Sequence, residues 1–397
     1  MELMKRDFYL EKLKGLMSTP DIKVVTGIRR SGKSKLLEVF QSHVLESVAN
    51  ANIINVNFNL PEYDELRTYK KLYDYVNLLY RPGAQNFVFI DEVQMCEEFE
   101  RAVNGLHARG CYDIYITGSN AFLLSSDLAT LFTGRTFDIE IYPFSFAEFM
   151  QYFGLEDKYE ALNRYIIEGG MAGSYLYTDI ETKYDYIRRV FDTLILRDIS
   201  DKHNIRNPQA LEKLTNFMMD NISNLTTVRK IANKLAGDED NVSHTTVGTF
   251  IQYLCHSFAF YSVPRFDIKG KRYLANTEKY YLCDHSFRYA RLATKNMDYG
   301  RTLENIVAID LMRRGYQVYV GVLQNKEIDF VAIKRSEQLY IQVSDNIDDP
   351  RTFEREVDPL LKIADGYPKI LLSRTRHDEY QYEGIKVIDI ADWLLRD

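Results

Sequence analysis

Gly27-Ile28-Arg29-Arg30-Ser31-Gly32-Lys33-Ser34 is the stretch of this sequence with the most specific chemistry. It matches GxxxxGK[ST] in full, directly after an apolar run (Ile22–Thr26) and directly before an amphipathic one (Ser34–Val48). Strand, loop and helix in that order are what a phosphate-binding loop requires. Gly27 and Gly32 let the backbone wrap closely around phosphate oxygens. The amides of Arg29, Arg30, Ser31 and on to Lys35, at a helix N-terminus, supply donors and positive potential. Lys33 is expected at the β- and γ-phosphates, and the Ser34 hydroxyl on Mg²⁺. A second apolar run, Asn86–Ile90, ends in Asp91 and Glu92. Asp91 is expected to hold Mg²⁺ through water, and Glu92 to polarise an attacking water. A carboxylate beside the metal-binding Asp favours water over a substrate hydroxyl as nucleophile, so the pattern points to an ATPase rather than a small-molecule kinase.

Two further polar segments follow. Thr117-Gly118-Ser119-Asn120 ends another apolar run, where a polar side chain can touch the γ-phosphate and orient the water. Arg135, in Thr133-Gly134-Arg135-Thr136, is a candidate for stabilising transition-state charge, in cis or across a subunit interface.

The elements that must position these residues alternate. Strands are expected at 22–26, 53–58, 86–90, 112–117 and 136–142, with helices at 34–48, 66–80 and 97–109 between them. That alternation predicts an α/β fold with a parallel sheet covered on both faces. From Pro143 the pattern turns helical, opening with a capping-box spacing at Ser145 and Glu148 and breaking at Gly169-Gly170. Residues 206–294 predict three helices and a hairpin around Lys269-Gly270-Lys271, the order of a winged helix. The last hundred residues return to an α/β pattern.

Composition sets the outer limits. The chain has 397 residues, enough for two to four domains, and both charge signs are mixed through a net −7, which excludes wholesale disorder. There is no apolar run of about 20 residues for a membrane span. Four cysteines with no CxxC pair argue against a zinc knuckle or disulfide scaffold. With no signal-peptide pattern at the N-terminus, a cytoplasmic location is expected.

On GIRRSGKS, FVFIDEVQ, YITGSN, the TGRT element and IYPFSFAEF, residues 1–205 resemble an AAA+ ATPase of the archaeal/bacterial type. The resemblance implies a P-loop sheet of order 5-1-4-3-2 followed by a helical lid. It assigns Gly27–Ser34 to Walker A, Asp91 and Glu92 to Walker B, Asn120 or Ser119 to sensor 1, and Arg135 to an arginine finger. Such ATPases often carry a winged helix and a C-terminal domain of restriction-endonuclease-like type. The implied domains are a nucleotide-binding core at 1–142, a lid at 143–205, a winged helix at 206–294 and a PD-(D/E)xK-like domain at 295–397.

Over Asp198–Lys295 there are 14 Lys and Arg against 10 Asp and Glu, a local basic excess in an acidic chain. Arg265, Lys269, Lys271 and Arg272 cluster at the expected wing, which suits double-stranded DNA. The third helix of the module, SHTTVGTFIQYL, carries no Lys or Arg. At the C-terminus, Glu304, Asp329 and Gln342 fall in the nuclease-like pattern, with Asp329 and Gln342 as metal ligands in that scheme. Ser344 stands where the lysine belongs, so an inactive site is expected. The expected function is therefore an Mg²⁺-dependent, ATP-hydrolysing AAA+ ATPase that couples nucleotide state to domain movement in association with DNA, and that forms a homo-oligomer where Arg135 acts in trans. The alternatives are an ATP-gated switch that grips a protein partner, and an ATP-controlled DNA nuclease.

Overall fold

In a computed structural model, residues 4–118, 132, 134–235, 242–292 and 298–396 are described. The chain divides into two compact units: Met1–Ile141 with His256–Phe258, and Tyr142–Cys255 with Ala259–Asp397.

The first unit contains the expected sheet. Strands β1 (Ile22–Thr26), β2 (Ala51–Asn57), β3 (Gln85–Asp91), β4 (Tyr112–Thr117) and β5 (Thr136–Glu140) pair in parallel in the order β2-β3-β4-β1-β5. Alternate side chains build a core on each face. Ile22, Val24, Ile54, Val88 and Ile114 pack with helices α3 (Tyr69–Leu78) and α4 (Phe99–Ala108). Val25, Phe87, Phe89, Tyr115 and Ile139 pack with α1 (Asp7–Leu16) and α2 (Lys33–Ser47). Lys23 is fully buried within β1, and its ammonium bonds Asp113 Oδ1 at 2.6 Å. Because the strands run parallel, every loop that follows a strand opens at one edge of the sheet. Ligand sites in open α/β sheets form at that edge.

The second unit opens with the capping box: Ser145 N–H donates to Glu148 at 2.9 Å, and Glu148 N–H donates to Ser145 Oγ at 3.3 Å. Gly169-Gly170 is more than a helix break. A Cβ at Gly169 would lie 2.3 Å from Asp284 Oδ1, and one at Gly170 2.3 Å from the Phe144 carbonyl oxygen. Three helices (Pro208–Asp220, Val228–Leu235, His244–His256) lead into the hairpin of β6 (Phe260–Asp267) and β7 (Arg272–Leu282). That hairpin does not stand apart as a wing. β6 pairs in parallel with β8 (Gln317–Leu323), so the hairpin ends one mixed sheet with β9 (Lys326–Lys334), β10 (Glu337–Ser344), β11 (Lys369–Ser373), β12 (Tyr380–Tyr382) and β13 (Ile385–Asp389). Among the described residues no helix is long and apolar enough to cross a membrane.

Candidate active site

Between β1 and α2 the chain makes a tight cradle. Gly27 has φ +135°, and a Cβ there would lie 2.1 Å from the Ile141 carbonyl oxygen, so only glycine fits. Gly32, at φ +96°, precedes the first turn of α2. Lys33 is buried, and its ammonium folds onto the loop, donating to the Gly27 and Ile28 carbonyls at 2.8 and 3.1 Å. The Ser31 hydroxyl is buried with no hydrogen-bond partner among the described residues. Ser34 is half-buried on the first turn of α2, as is Arg29 in the loop. Arg30 and Lys35 are exposed, and Lys35 pairs with Glu38 at 2.7 Å.

Asp91 ends β3 at the same edge of the sheet and is buried. Its Oδ1 accepts the hydroxyl of Thr117, the last residue of β4, and Glu92 N–H donates to that same hydroxyl oxygen at 3.0 Å. Asp91 Oδ2 has no hydrogen-bond partner among the described residues. A buried, unsatisfied carboxylate oxygen costs stability unless something binds it. It and the Ser34 hydroxyl are hard oxygen donors of the kind Mg²⁺ takes beside phosphates. Glu92 adopts φ +54°, and its carboxylate accepts the Gln94 side-chain amide.

Two residues that motif reasoning passed over belong here. Thr117 was visible only as the strand residue before a turn, yet it ties both acidic residues to β4. Arg6, at φ +49° just before α1, is 3% exposed, lies over the Tyr9 ring, and donates from Nη1 to the Ser31 carbonyl at 2.9 Å. A trans peptide points its C=O and the next N–H in opposite directions. Holding the Ser31 carbonyl therefore fixes the direction of the Gly32 N–H. No local pattern marks Arg6.

Arg135 does not join this group. It is exposed, and its carbonyl accepts the N–H of Ile22, the first residue of β1. It thus lies at the strand-start edge, while the phosphate loop follows the strand end. Four residue steps of β1, roughly 13 Å, separate the two edges. A role at the phosphates of its own chain is out of reach. Asn120 and Ser119 lie outside the described residues.

The second unit holds a different charged centre. The Lys279 ammonium, 2% exposed, meets Glu304 and Glu327 at 2.7 Å each and Asp329 at 3.7 Å. Tyr281 O–H donates to Glu304 at 2.7 Å. Burial alone would lower the Lys279 ammonium, but the three carboxylates carry it above its ordinary range. Burial, then the Glu304 charge, push the Asp329 carboxyl up to about 8. Gln342, expected as a metal ligand, is engaged elsewhere: its Oε1 accepts Asp329 N–H at 3.2 Å and its amide donates to Glu356 at 2.9 Å. Ser344 donates to the Asn346 carbonyl at 3.1 Å. The place among the carboxylates where a divalent ion would sit is taken by Lys279, which the sequence pattern did not single out.

A family model described as an AAA domain matches residues 19–150, and one described as a domain of unknown function (DUF8612) matches 159–298. An uncharacterized protein of Haemophilus influenzae is 36% identical over 402 residues, covering 99% of this chain and 99% of that protein. An uncharacterized protein of Methanocaldococcus jannaschii is 28% identical over 352 residues, covering 85% and 77%. Among solved structures, a Walker-type ATPase of Pyrococcus abyssi superposes with a TM-score of 0.47 at 16% identity, covering 73% of this chain and 95% of that one.

Proposed function

We propose that this chain, which belongs to the same family as the Haemophilus influenzae protein and carries an AAA domain over residues 19–150, binds ATP at the Gly27–Ser34 loop and hydrolyses it. The observation that carries the reading is the buried Asp91 Oδ2, without a hydrogen-bond partner among the described residues, at the same sheet edge as a P-loop. On binding, the Lys33 ammonium exchanges the Gly27 and Ile28 carbonyls for β- and γ-phosphate oxygens. Loop amides, aimed in part by the Arg6 bond to Ser31, bind the same oxygens. Ser34 and Asp91 would hold Mg²⁺, which would neutralise phosphate charge. Glu92 polarises the water for in-line attack on the γ-phosphate. The output is a change of conformation passed to the C-terminal segments. Turnover measured with and without double-stranded DNA tests this; no ATP hydrolysis in either condition sinks it.

Arg6→Met keeps the side chain's length and loses its bond to the loop. A hydrogen bond from a charged group is worth about 1.5–3 kcal/mol, so the apparent KM for ATP is expected to rise at least about tenfold with kcat little changed. Arg6→Lys should recover part of the loss. A wild-type KM for Arg6→Met would reduce Arg6 to a support of α1.

Arg135 serves an oligomer if it serves catalysis at all. Arg135→Ala is expected to cut turnover by about a thousandfold and leave ATP affinity intact, as for a finger supplied in trans. Mixing it with Lys33→Ala chains should restore partial activity, because an interface at which the Arg135→Ala chain supplies the loop and the Lys33→Ala chain the arginine is complete. A normal rate for Arg135→Ala alone leaves it a surface charge.

Association with DNA is the second part of the reading, supported by the exposed Lys269 and Lys271 in the basic segment. Two of the four residues expected at the wing are less available: Arg265 is half-buried, and Arg272 pairs with Asp267 at 3.3 Å.

A further inference from the structure

Lys269 and Lys271 occupy the β6–β7 turn, and they do not stand alone. They line a cleft of about 740 Å³ in the second unit that Lys326, the first residue of β9, and Lys362, just past the helix Pro350–Leu361, also line. Four lysines thus come from three segments that are far apart in sequence. Ile268 and Ile363, both buried, lie against the same cleft. We infer that these four lysines form a binding site for the phosphodiester backbone of nucleic acid, lying largely outside the three-helix module. This rests on the proposed association with DNA and gives it a different location.

The charge balance of the cleft supports that ligand. Lys326 and Lys362 share a single carboxylate: both pair with Asp358, Lys362 at 2.8 Å. Asp365, which lines the cleft, is occupied, accepting Tyr340 O–H at 2.5 Å and Tyr367 N–H at 3.2 Å. Contact with Lys362 is the largest cause holding the Lys326 ammonium below its ordinary range. Like charges gathered this way repel each other, and a bound anion relieves the repulsion. The lysines are reachable, with the Lys326 and Lys362 side chains 41% and 54% exposed. Two residues beyond Lys271, Tyr273 is 64% exposed, with its ring 5.1 Å from Tyr319 and 5.6 Å from Phe266. A propped, exposed aromatic beside basic residues favours nucleic acid over an acidic protein, because an unpaired base, at a duplex end or in a single-stranded stretch, can stack on it.

The test is fluorescence anisotropy of a labelled duplex with the full chain across a KCl series. The variants are Lys326→Ala/Lys362→Ala and, as a control, Lys70→Ala/Lys71→Ala, which removes the same charge from exposed positions on α3. Each lost phosphate contact flattens the slope of log affinity against log salt by about 1. The cleft variant is therefore expected to flatten it by about 2, with the control like wild type. Unfolding temperatures equal to wild type would show that both variants fold. If wild type binds and the cleft variant matches the control, the cleft is wrong and the association with DNA stands. If wild type binds no duplex at low salt, both fail. If polyglutamate displaces the duplex at equal charge concentration, the site takes acidic protein instead.

Discussion

Glu92→Gln is expected to bind ATP as the wild-type chain does and to hydrolyse it roughly a hundred- to ten-thousandfold more slowly, the usual worth of a positioned general base. The substitution changes charge and little else. Glutamine has the same length, the backbone N–H of residue 92 still donates to Thr117, and the amide oxygen still accepts from Gln94. What is lost is the carboxylate that polarises the water. Lys33→Ala is expected to fail one step earlier. It removes the ammonium that moves from the Gly27 and Ile28 carbonyls to the phosphates, so binding itself falls. Filter binding of labelled ATP and phosphate release, measured on both variants, separate the two effects. Wild-type turnover by Glu92→Gln would remove Glu92 from the chemistry, and wild-type ATP affinity in Lys33→Ala would remove the loop.

The first unit was legible because its signals are local. Each of its five strands is a short apolar run bounded by turns, and the glycines of the loop adopt the positive φ that the motif requires. Arg135 shows a signal that was present and unused. A residue that precedes a parallel strand must lie at the opposite edge from a loop that follows one, so its distance from the phosphates follows from strand direction alone. Thr117, Arg6 and Lys279 are different. Their decisive partners are Asp91, Ser31 and Glu304, each some 25 residues away in the chain, and no spacing rule connects them. The hairpin was legible as a hairpin, but its parallel pairing of Arg265 with Val320 was not. A strand's alternation shows which face is buried and says nothing of which distant strand lies beside it.

Lys279→Met is expected to destabilise the second unit by about 3–5 kcal/mol, the usual effect of removing one partner from a buried ion pair. Methionine nearly matches the lysine in volume, so the loss is electrostatic. Glu304 and Glu327 would lose the cation that meets them both, and Tyr281 O–H can satisfy only one oxygen. Asp329 gives the same centre a pH dependence. Its folded pKa of about 8 lies above the unfolded value near 3.9, so the folded state holds the extra proton between those limits. Its contribution to stability is therefore greatest below about pH 4 and declines as pH rises towards 8. Lys279 acts at the other end: its folded pKa is raised, so its contribution holds through neutral pH and is lost only above its ordinary range. Thermal unfolding of wild type from pH 5 to 8 should thus show a fall that Asp329→Asn flattens, since asparagine has no proton to lose. Parallel profiles for the two proteins would mean that Asp329 is ionised throughout. An unfolding temperature unchanged in Lys279→Met would mean that the three carboxylates are solvated and that Lys279 does not hold this centre together.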